Sequence, residues 1–378
     1  MIDNARITQA LHARIDAIDA TEWNALMPND NPFVAHAFLS TLEHTGCIRS
    51  DLGWQSAHLT LHEDETLVAA APCYVKYNSH GEFVFDHAWA HAYAQHGEAY
   101  YPKLLVASPY SPVTGPRLLA KSAHWRAQLL ETLVSSASQL DVSSAHVNFH
   151  APHETEAFDD AWCMREDVQY IWRNPGDWRS FEDYLAGMDS KHRKNVRQER
   201  KKLAAAGVQF RWVQGHDAEA IDCQRMYERY IGTFDLYGNT PALTASFFRD
   251  IVTRMPEQTA FCFASLGKDV IAAAFYMQSS STLYGRYWGS THDLPGLHFE
   301  TCYYQGIEHC LRTGRATFEP GAGGVHKIAR GFLPEVTRSH HWIKSPNFRR
   351  AIQKWCDEER SGTARHIAAL MQRSPFNK

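Results

Sequence analysis

Apolar positions along this chain recur with two different periods, and the switches between them mark out strands and helices. Over residues 297–314, Phe299, Cys302, Tyr303, Gly306, Ile307 and Cys310 fall three and four apart, which predicts an amphipathic helix ended by Gly314. Gly306 lies on the apolar stripe, where a missing side chain costs helix stability but lets a neighbour come close, so this helix is expected to lie against a sheet. Its other face carries Glu300, Tyr304 and Glu308, while His298 sits in the first turn beside backbone N–H groups that can receive an anion. Strands TLYGRYWG (282–289) and RATFEP (315–320) flank the helix, and the glycine-rich turn GAGGVHKIARG follows.

The same reading predicts helices at 9–20 and 33–42, then two extended runs at 57–62 and 66–76 joined by an acidic turn, a hairpin. A further strand is expected at 82–86, another at 104–108, a helix at 122–140 and a strand at 144–150. In the second half, helices are expected at 180–188, 190–207, 218–234 and 242–255, then three strands with turns at Gly267/Lys268 and 279–281. EVTRSHHWI (335–343) reads as extended, and 347–372 as a terminal helix with Trp355 and Ile367 on its inner side. Both halves thus run from a three-strand meander through a Gly/Pro loop to a helix and a strand. TLVAAAPCY (66–74) and DVIAAAFY (269–276) fall at the same place in that order. Two copies of one α/β unit are predicted, at 1–160 and 161–345, with 346–378 packing back on them.

Composition narrows the classes. A chain of 378 residues, 44% hydrophobic and 12% aromatic, can bury substantial cores, and a formal charge of −4 excludes a whole-protein basic field for nucleic acid. Eight cysteines without a C-x-x-C pair indicate neither a zinc cage nor a disulfide framework. Of the 22 histidines, His87, His91 and His96 lie close together but lack a cysteine or carboxylate set, so no metal is expected; His340 and His341 would point apart in a strand. The start of the chain lacks a basic segment followed by an apolar core, and the longest apolar run, 270–277, is too short to span a bilayer, so a cytoplasmic protein is expected.

One local patch departs from that even balance. In residues 191–202 seven of twelve are Lys or Arg, against the single acid Glu199. Lys191, Arg193 and Lys194 crowd the first turn behind an Asp189/Ser190 cap, where the helix dipole disfavours cations by about 0.3–1 kcal/mol each. A phosphate-bearing partner would offset that cost.

These segments carry a resemblance. SKHRKNVRQERKKLAAAGVQF, GLHFETCYYQGIEHCLRTGRATFEPGA and HKIARGF resemble the Fem-type branch of the GNAT acyltransferase superfamily. NPFVAHAFLSTLEHTG, GEFVFDHAWAHAY, YYPKL and EPGAGGVHKIARGFLP resemble, more narrowly, the bacterial Fem-like family labelled peptidoglycan biosynthesis or recognition. The resemblance implies an α/β (α+β) protein of two tandem GNAT-like domains, each a mixed, mainly antiparallel sheet flanked by helices, with a substrate channel between them. It implies transfer of an acetyl or aminoacyl group to an amine of an amino acid, peptide or amino sugar. The donor would be acyl-CoA or aminoacyl-tRNA, tRNA then being a partner. The chain departs from the GNAT phosphate-binding signature Q/R-x-x-G-x-G/A, offering only STHDLPG (290–296), and it lacks the long helical arm of larger Fem proteins. The competing class is a catalytically silent module that recognises peptidoglycan fragments or RNA through the same cleft.

Acyl transfer to an amine needs a base for the ammonium proton and donors for the developing oxyanion. Glu319, at the end of strand 315–320 where a GNAT sheet splays open, is the first candidate for the base, with His298 and Glu300 as alternatives. Gly321, Gly323 and Gly324 would let backbone approach an anionic group that His326, Lys327 and Arg330 grip, while Glu319 could instead pair with Arg330. Tyr287, the basic trio Lys191, Arg193 and Lys194, and Asp86, Tyr101, Lys103 and Arg117 of the first copy complete the candidate binding residues.

Overall fold

A computed structural model describes residues 6–376, which form two compact units: 6–167 with 336–364, and 168–335 with 365–376. In unit 1, β1 (Ile7–His12) pairs antiparallel with β3 (His58–Glu63), and a 3-10 turn with α1 (Ala20–Ala25) follows it. The helix expected at 9–20 is therefore a strand and a turn. Leu11, Ile15 and Ile18 do fall at helical spacing, but the ladder to β3 takes the first, while the His36 ring holds the Ile15 and Ile18 carbonyls at 3.0 and 3.1 Å. Helix α2 (His36–His44) forms as expected, and β2 (Trp54–Ser56) precedes β3. The hairpin of β3 with β4 (Thr66–Ala71) turns at Asp64, whose φ is +54°. Pro72 separates β4 from β5 (Cys73–Lys76), which pairs with β2 and with β6 (Lys103–Val106). Residues 82–86 are not a strand. They lead into α3 (His87–Gln95), because Glu82 and Asp86 turn inward to a buried lysine instead of joining a ladder. After β7 (Leu119–Ala120), α4 (Ala123–Gln139), capped by Ser122, crosses to β8 (Ser144–Asn148), which pairs parallel with β6.

In unit 2, the end of β9 (Trp162–Arg173) is followed by α5 (Phe181–Ala186) and α6 (Ser190–Ala205), capped by Ser180 and Asp189. β10 (Val208–Gln214) precedes α7 (Ala220–Tyr237) and α8 (Ala245–Arg254). β11 (Thr259–Leu266), β12 (Asp269–Gln278) and β13 (Thr282–Ser290) then build an antiparallel meander on β10. A continuous helix runs as α9 (Leu297–Phe299), a π segment (Glu300–Tyr304) and α10 (Gln305–Thr313), ending at Gly314 with φ +75°. It joins β13 to β14 (Thr317–Glu319), its parallel neighbour. Phe275 meets Phe247 and Phe248 of α8, whereas Tyr276 donates to the Thr301 carbonyl at 2.6 Å; successive strand residues face opposite ways, so helices cover both faces. A Cβ on Gly306 would stand 2.3 Å from the buried ring of Phe318, which is the close approach to a sheet that this glycine foretold.

Last come β15 (Leu333–Ile343) and α11 (Pro346–Met371). The two units share one strand plan: an antiparallel meander, a parallel pair whose strands are joined through a helix, and an antiparallel closing strand. In unit 1 the pair is β6/β8 and the closing strand is residues 339–343 of β15; in unit 2 the pair is β13/β14, closed by Trp172 and Arg173 of β9. The segments matched by eye, β4 and β12, are each the third strand of a meander. Among the described residues, no helix is long and apolar enough to cross a membrane.

Candidate functional site

Two places in unit 2 and one in unit 1 gather the candidate side chains. The first is where β13 and β14 part. A register shift between Phe275 and Tyr276 leaves Arg286 as the extra residue of β13, since Tyr276 faces Gly285 and Phe275 faces Tyr287. Beside this bulge lies a cavity of about 60 Å³, walled by Gly285, Arg286, Tyr287 and Trp288 and bounded by His298 and Cys302 on the helix and Pro320 after β14. A Cβ on Gly285 would meet the Pro320 Cα at 3.3 Å, and one on Gly321 would meet the Gly285 carbonyl at 3.2 Å, so these glycines set the width of the parting. Glu319 is the last residue of β14, opposite Tyr284, half-exposed and within electrostatic range of Arg173 and Arg286. His298 lies against Trp288, centroids 4.5 Å apart and ring planes tilted by 41°, and burial lowers its pKa to about 4, which keeps the ring neutral at pH 7.

The second gathering lies on the outer face of the helix, and α6 covers it. Burial raises the Glu300 pKa even though Arg200 Nε reaches both carboxylate oxygens at 3.1 Å and Gln305 adds a bond at 2.9 Å. Arg200 also bridges to Glu308 at 2.8 Å and lies over the Phe181 ring at 4.3 Å. Its neighbour on α6, Glu199, accepts from the Tyr304 hydroxyl at 2.5 Å and from Arg330 Nη2 at 2.8 Å. The alternative of an Arg330–Glu319 pair is thus corrected: the carboxylate that Arg330 bonds is Glu199. Its guanidinium also donates to the His326 carbonyl at 3.0 Å and lies 3.3 Å over the Phe299 ring. Lys327 is buried, and its Nζ donates to the carbonyls of Gly321 and Ala322 at 2.7 and 3.1 Å. Lys327 and Arg330 therefore hold the turn itself, pointing to different partners instead of sharing one face toward an anion. His326 is exposed and meets the Tyr303 hydroxyl at 3.0 Å; Gly323 and Gly324 have positive φ, +64° and +96°. At the start of α6, Asp189 takes both the backbone N–H and the ring of His192, at 2.9 and 2.6 Å. Lys191 and Lys194 are exposed, while Arg193 leans to the Ala186 carbonyl at 3.5 Å.

In unit 1 the structure brings three of the four candidates together around a buried ion. Lys103 Nζ meets Asp86 and, at 2.9 Å, Glu82; Asp86 also accepts from Ser79 and, at 2.6 Å, from Tyr100. Ser79 and the Tyr101 hydroxyl lie 2.6 Å apart. Burial alone would raise Asp86, but Lys103 overrides it and holds the carboxyl well below its usual range; burial dominates at Glu82, whose pKa rises. Arg117 is elsewhere: fully buried, it donates to the carbonyls of Asn148, Pro116 and Val113 and fastens loops, so it is corrected from a cleft residue to a structural clamp. Glu199, Arg200 and Arg286 were missed as site residues; only Glu199 left a signal, as the lone acid in a basic run.

The family profile for FemAB-like proteins, described as peptidoglycan biosynthesis/recognition, matches residues 14–378. The chain belongs to this family. Among solved structures, the FemAB-like chain is similar to the C-terminal domain (DUF2156) of a putative lysylphosphatidylglycerol synthetase from Agrobacterium fabrum. They are 12% identical with a TM-score of 0.51, covering 91% of this chain and 96% of that one. FemX is 11% identical with a TM-score of 0.50, covering 89% of this chain and 98% of its own. Identities this low show a shared fold. No curated protein matches the FemAB-like chain in sequence. Among its described residues no group of three or more His, Cys, Asp or Glu is placed to hold a metal ion.

Proposed function

We propose that this FemAB-like chain is an acyltransferase, moving an acetyl or aminoacyl group onto the amine of an amino acid, peptide or amino sugar at the parting of β13 and β14. The observation that carries this is the bulged strand beside a parallel neighbour, with a small cavity between them and an ionisable residue at the strand end. In that reading the amine attacks the acyl carbon, the carbon–sulfur or carbon–oxygen bond to the donor breaks, the ammonium proton passes to Glu319, and the leaving group takes up one proton. His298, neutral and beside the cavity, is placed to accept or donate a hydrogen bond. The family description, peptidoglycan biosynthesis/recognition, supports a peptidoglycan-type amine as acceptor. The test is to offer acetyl-CoA or charged tRNA with pooled amines and follow free thiol or transferred aminoacyl label. Glu319→Gln should lower turnover by roughly 10²–10⁴ with donor affinity little changed. Equal turnover in the wild type and the variant would remove Glu319 as base. Consumption of neither donor by the folded protein would overturn the enzyme reading.

A further inference from the structure

At the other end of the same helix, unit 2 holds a second cavity, of about 930 Å³, that acyl transfer at the strand parting leaves unused. It lies where β10, the edge strand of its meander, meets α10: the alternate, half-buried residues Phe210, Trp212 and Gln214 form one side, with Trp212 Nε1 donating to Gln305 Oε1 at 3.3 Å. The imidazole of His309 lies flat on the Trp212 indole with centroids 4.2 Å apart, which makes one aromatic wall; Phe181 contributes to another.

The charge of this cavity follows from its hydrogen bonds. Arg312 Nη2 lies 3.1 Å from His309 Nδ1; a guanidinium only donates, so Nδ1 is the bare nitrogen and Nε2 carries the proton toward Gln278 Oε1 at 3.2 Å. His309 is therefore neutral, and burial lowering its pKa to about 3 agrees. Arg200 lies between two carboxylates, Glu300 and Glu308, and a third, Asp217, lines the cavity 3.3 Å from the His216 ring. Arg179 and Arg312 remain: both are exposed to the cavity, and among the described residues neither has a carboxylate within ion-pair distance. Two guanidiniums without a carboxylate partner, Arg312 spending only part of its N–H fork on His309, beside aromatic walls match a ligand that joins a phosphate to a flat, largely apolar ring. We infer that this cavity binds a nucleoside phosphate, its phosphate held by Arg179 and Arg312 and its base against the Trp212 and Phe210 wall.

The test is direct binding to the full chain, read by calorimetry and tryptophan fluorescence, with AMP, UMP and inorganic pyrophosphate as probes. AMP or UMP should bind with an affinity that falls as salt rises, and Arg179→Gln with Arg312→Gln should weaken binding about tenfold or more, the scale of a lost charge-assisted hydrogen bond. Arg179→Gln alone, at an exposed position, keeps the test valid if the double variant fails to fold. Three further titrations, with coenzyme A, a UDP-linked amino sugar and tRNA, identify which carrier of the nucleotide is preferred. Pyrophosphate binding as tightly as AMP would reduce the cavity to a plain anion site and overturn the inference; so would nucleotide binding that Arg179→Gln leaves unchanged, or no nucleotide binding at all. Because the readout is binding, either result leaves the transfer assay to stand or fall by itself.

Discussion

Lys327 has no carboxylate beside it among the described residues: its ammonium bonds two carbonyls of the glycine turn, and burial pulls its pKa down from 10.5 to about 8. Between those values the unfolded chain holds a proton that the native state has released, so stability should rise with pH across roughly 8 to 10.5. Below pH 8 both states are protonated and the full cost of a buried charge is felt. Urea melts of wild type and Lys327→Met at pH 7.5, 8.5 and 9.5 should diverge within that window by up to about 1.4 kcal/mol per pH unit; a constant difference would refute the assignment. Arg330 calls for a different expectation. Glu199, the His326 carbonyl and the Phe299 ring all engage it, so Arg330→Ala should cost about 3–5 kcal/mol, the scale for breaking a buried pair. Loss of substrate affinity with an unchanged melting temperature would show that it serves a ligand instead. Composition and spacing marked Lys327 and Arg330 as chemistry-bearing, but a pair of cations three apart looks the same whether it faces a phosphate or its own backbone. What decided the matter was Glu199, more than a hundred residues earlier, and distance along the chain hides such partners.

Among the elements, the helix at 297–313 was the most legible, because six apolar residues kept one spacing through it. Its π segment was not, since one extra residue in a turn leaves the apolar stripe recognisable while rotating Glu300 and Tyr304 toward a neighbour. Helical spacing shows which side of a helix is polar; it cannot show that α6 covers that side, burying Glu300 and Tyr304. The reverse failure occurred at β1, where three apolar residues at helical spacing belong to a strand and a turn. Glycine was the better guide to packing. Gly306→Ala should lower stability by about 1–3 kcal/mol despite its better helix propensity, because the Phe318 ring 2.3 Å away is fully buried and has nowhere to move. Gly362→Ala on α11, where an added Cβ meets nothing within 4 Å, should instead raise it by up to about 1 kcal/mol. Equal shifts in thermal melts of the two variants would mean that propensity, not packing, governs both sites.

At the scale of the molecule, the repeated strand plan was readable because element order survives when sequence similarity has nearly gone. The source of each closing strand was not: unit 1 is closed by residues 339–343, which come after β10 to β14 of unit 2 in the chain, and no local pattern records a pairing partner chosen so late. That closing strand is fastened by two histidine pairs, one to β8 and one to the chain just beyond it. His341 meets His146 at 2.6 Å, and His340, pointing the other way, meets His150 at 2.7 Å. Burial holds all four below the usual histidine range, His150 at about 4. Each pair shares one proton between two nitrogens, so a second proton has no acceptor and must be desolvated. In the unfolded chain these rings protonate freely below pH 6.5, while the native rings stay neutral to lower pH, His150 until about 4 and His340 until about 3. Their contribution is therefore complete above 6.5 and lost progressively as pH falls to about 4, by up to about 1.4 kcal/mol per pH unit for each proton taken up. The buried acids Glu82 and Glu300, with raised pKa values, act in the opposite sense and soften the loss. Hydrogen exchange, corrected for intrinsic rates, should show the amides of β8 and residues 339–343 losing protection between pH 6.5 and 4.5 before those of β11 and β12. Replacing His150 and His340 together with Asn should flatten the pH dependence of the urea midpoint, and uniform loss of protection across both units would refute a loosening that begins at this strand.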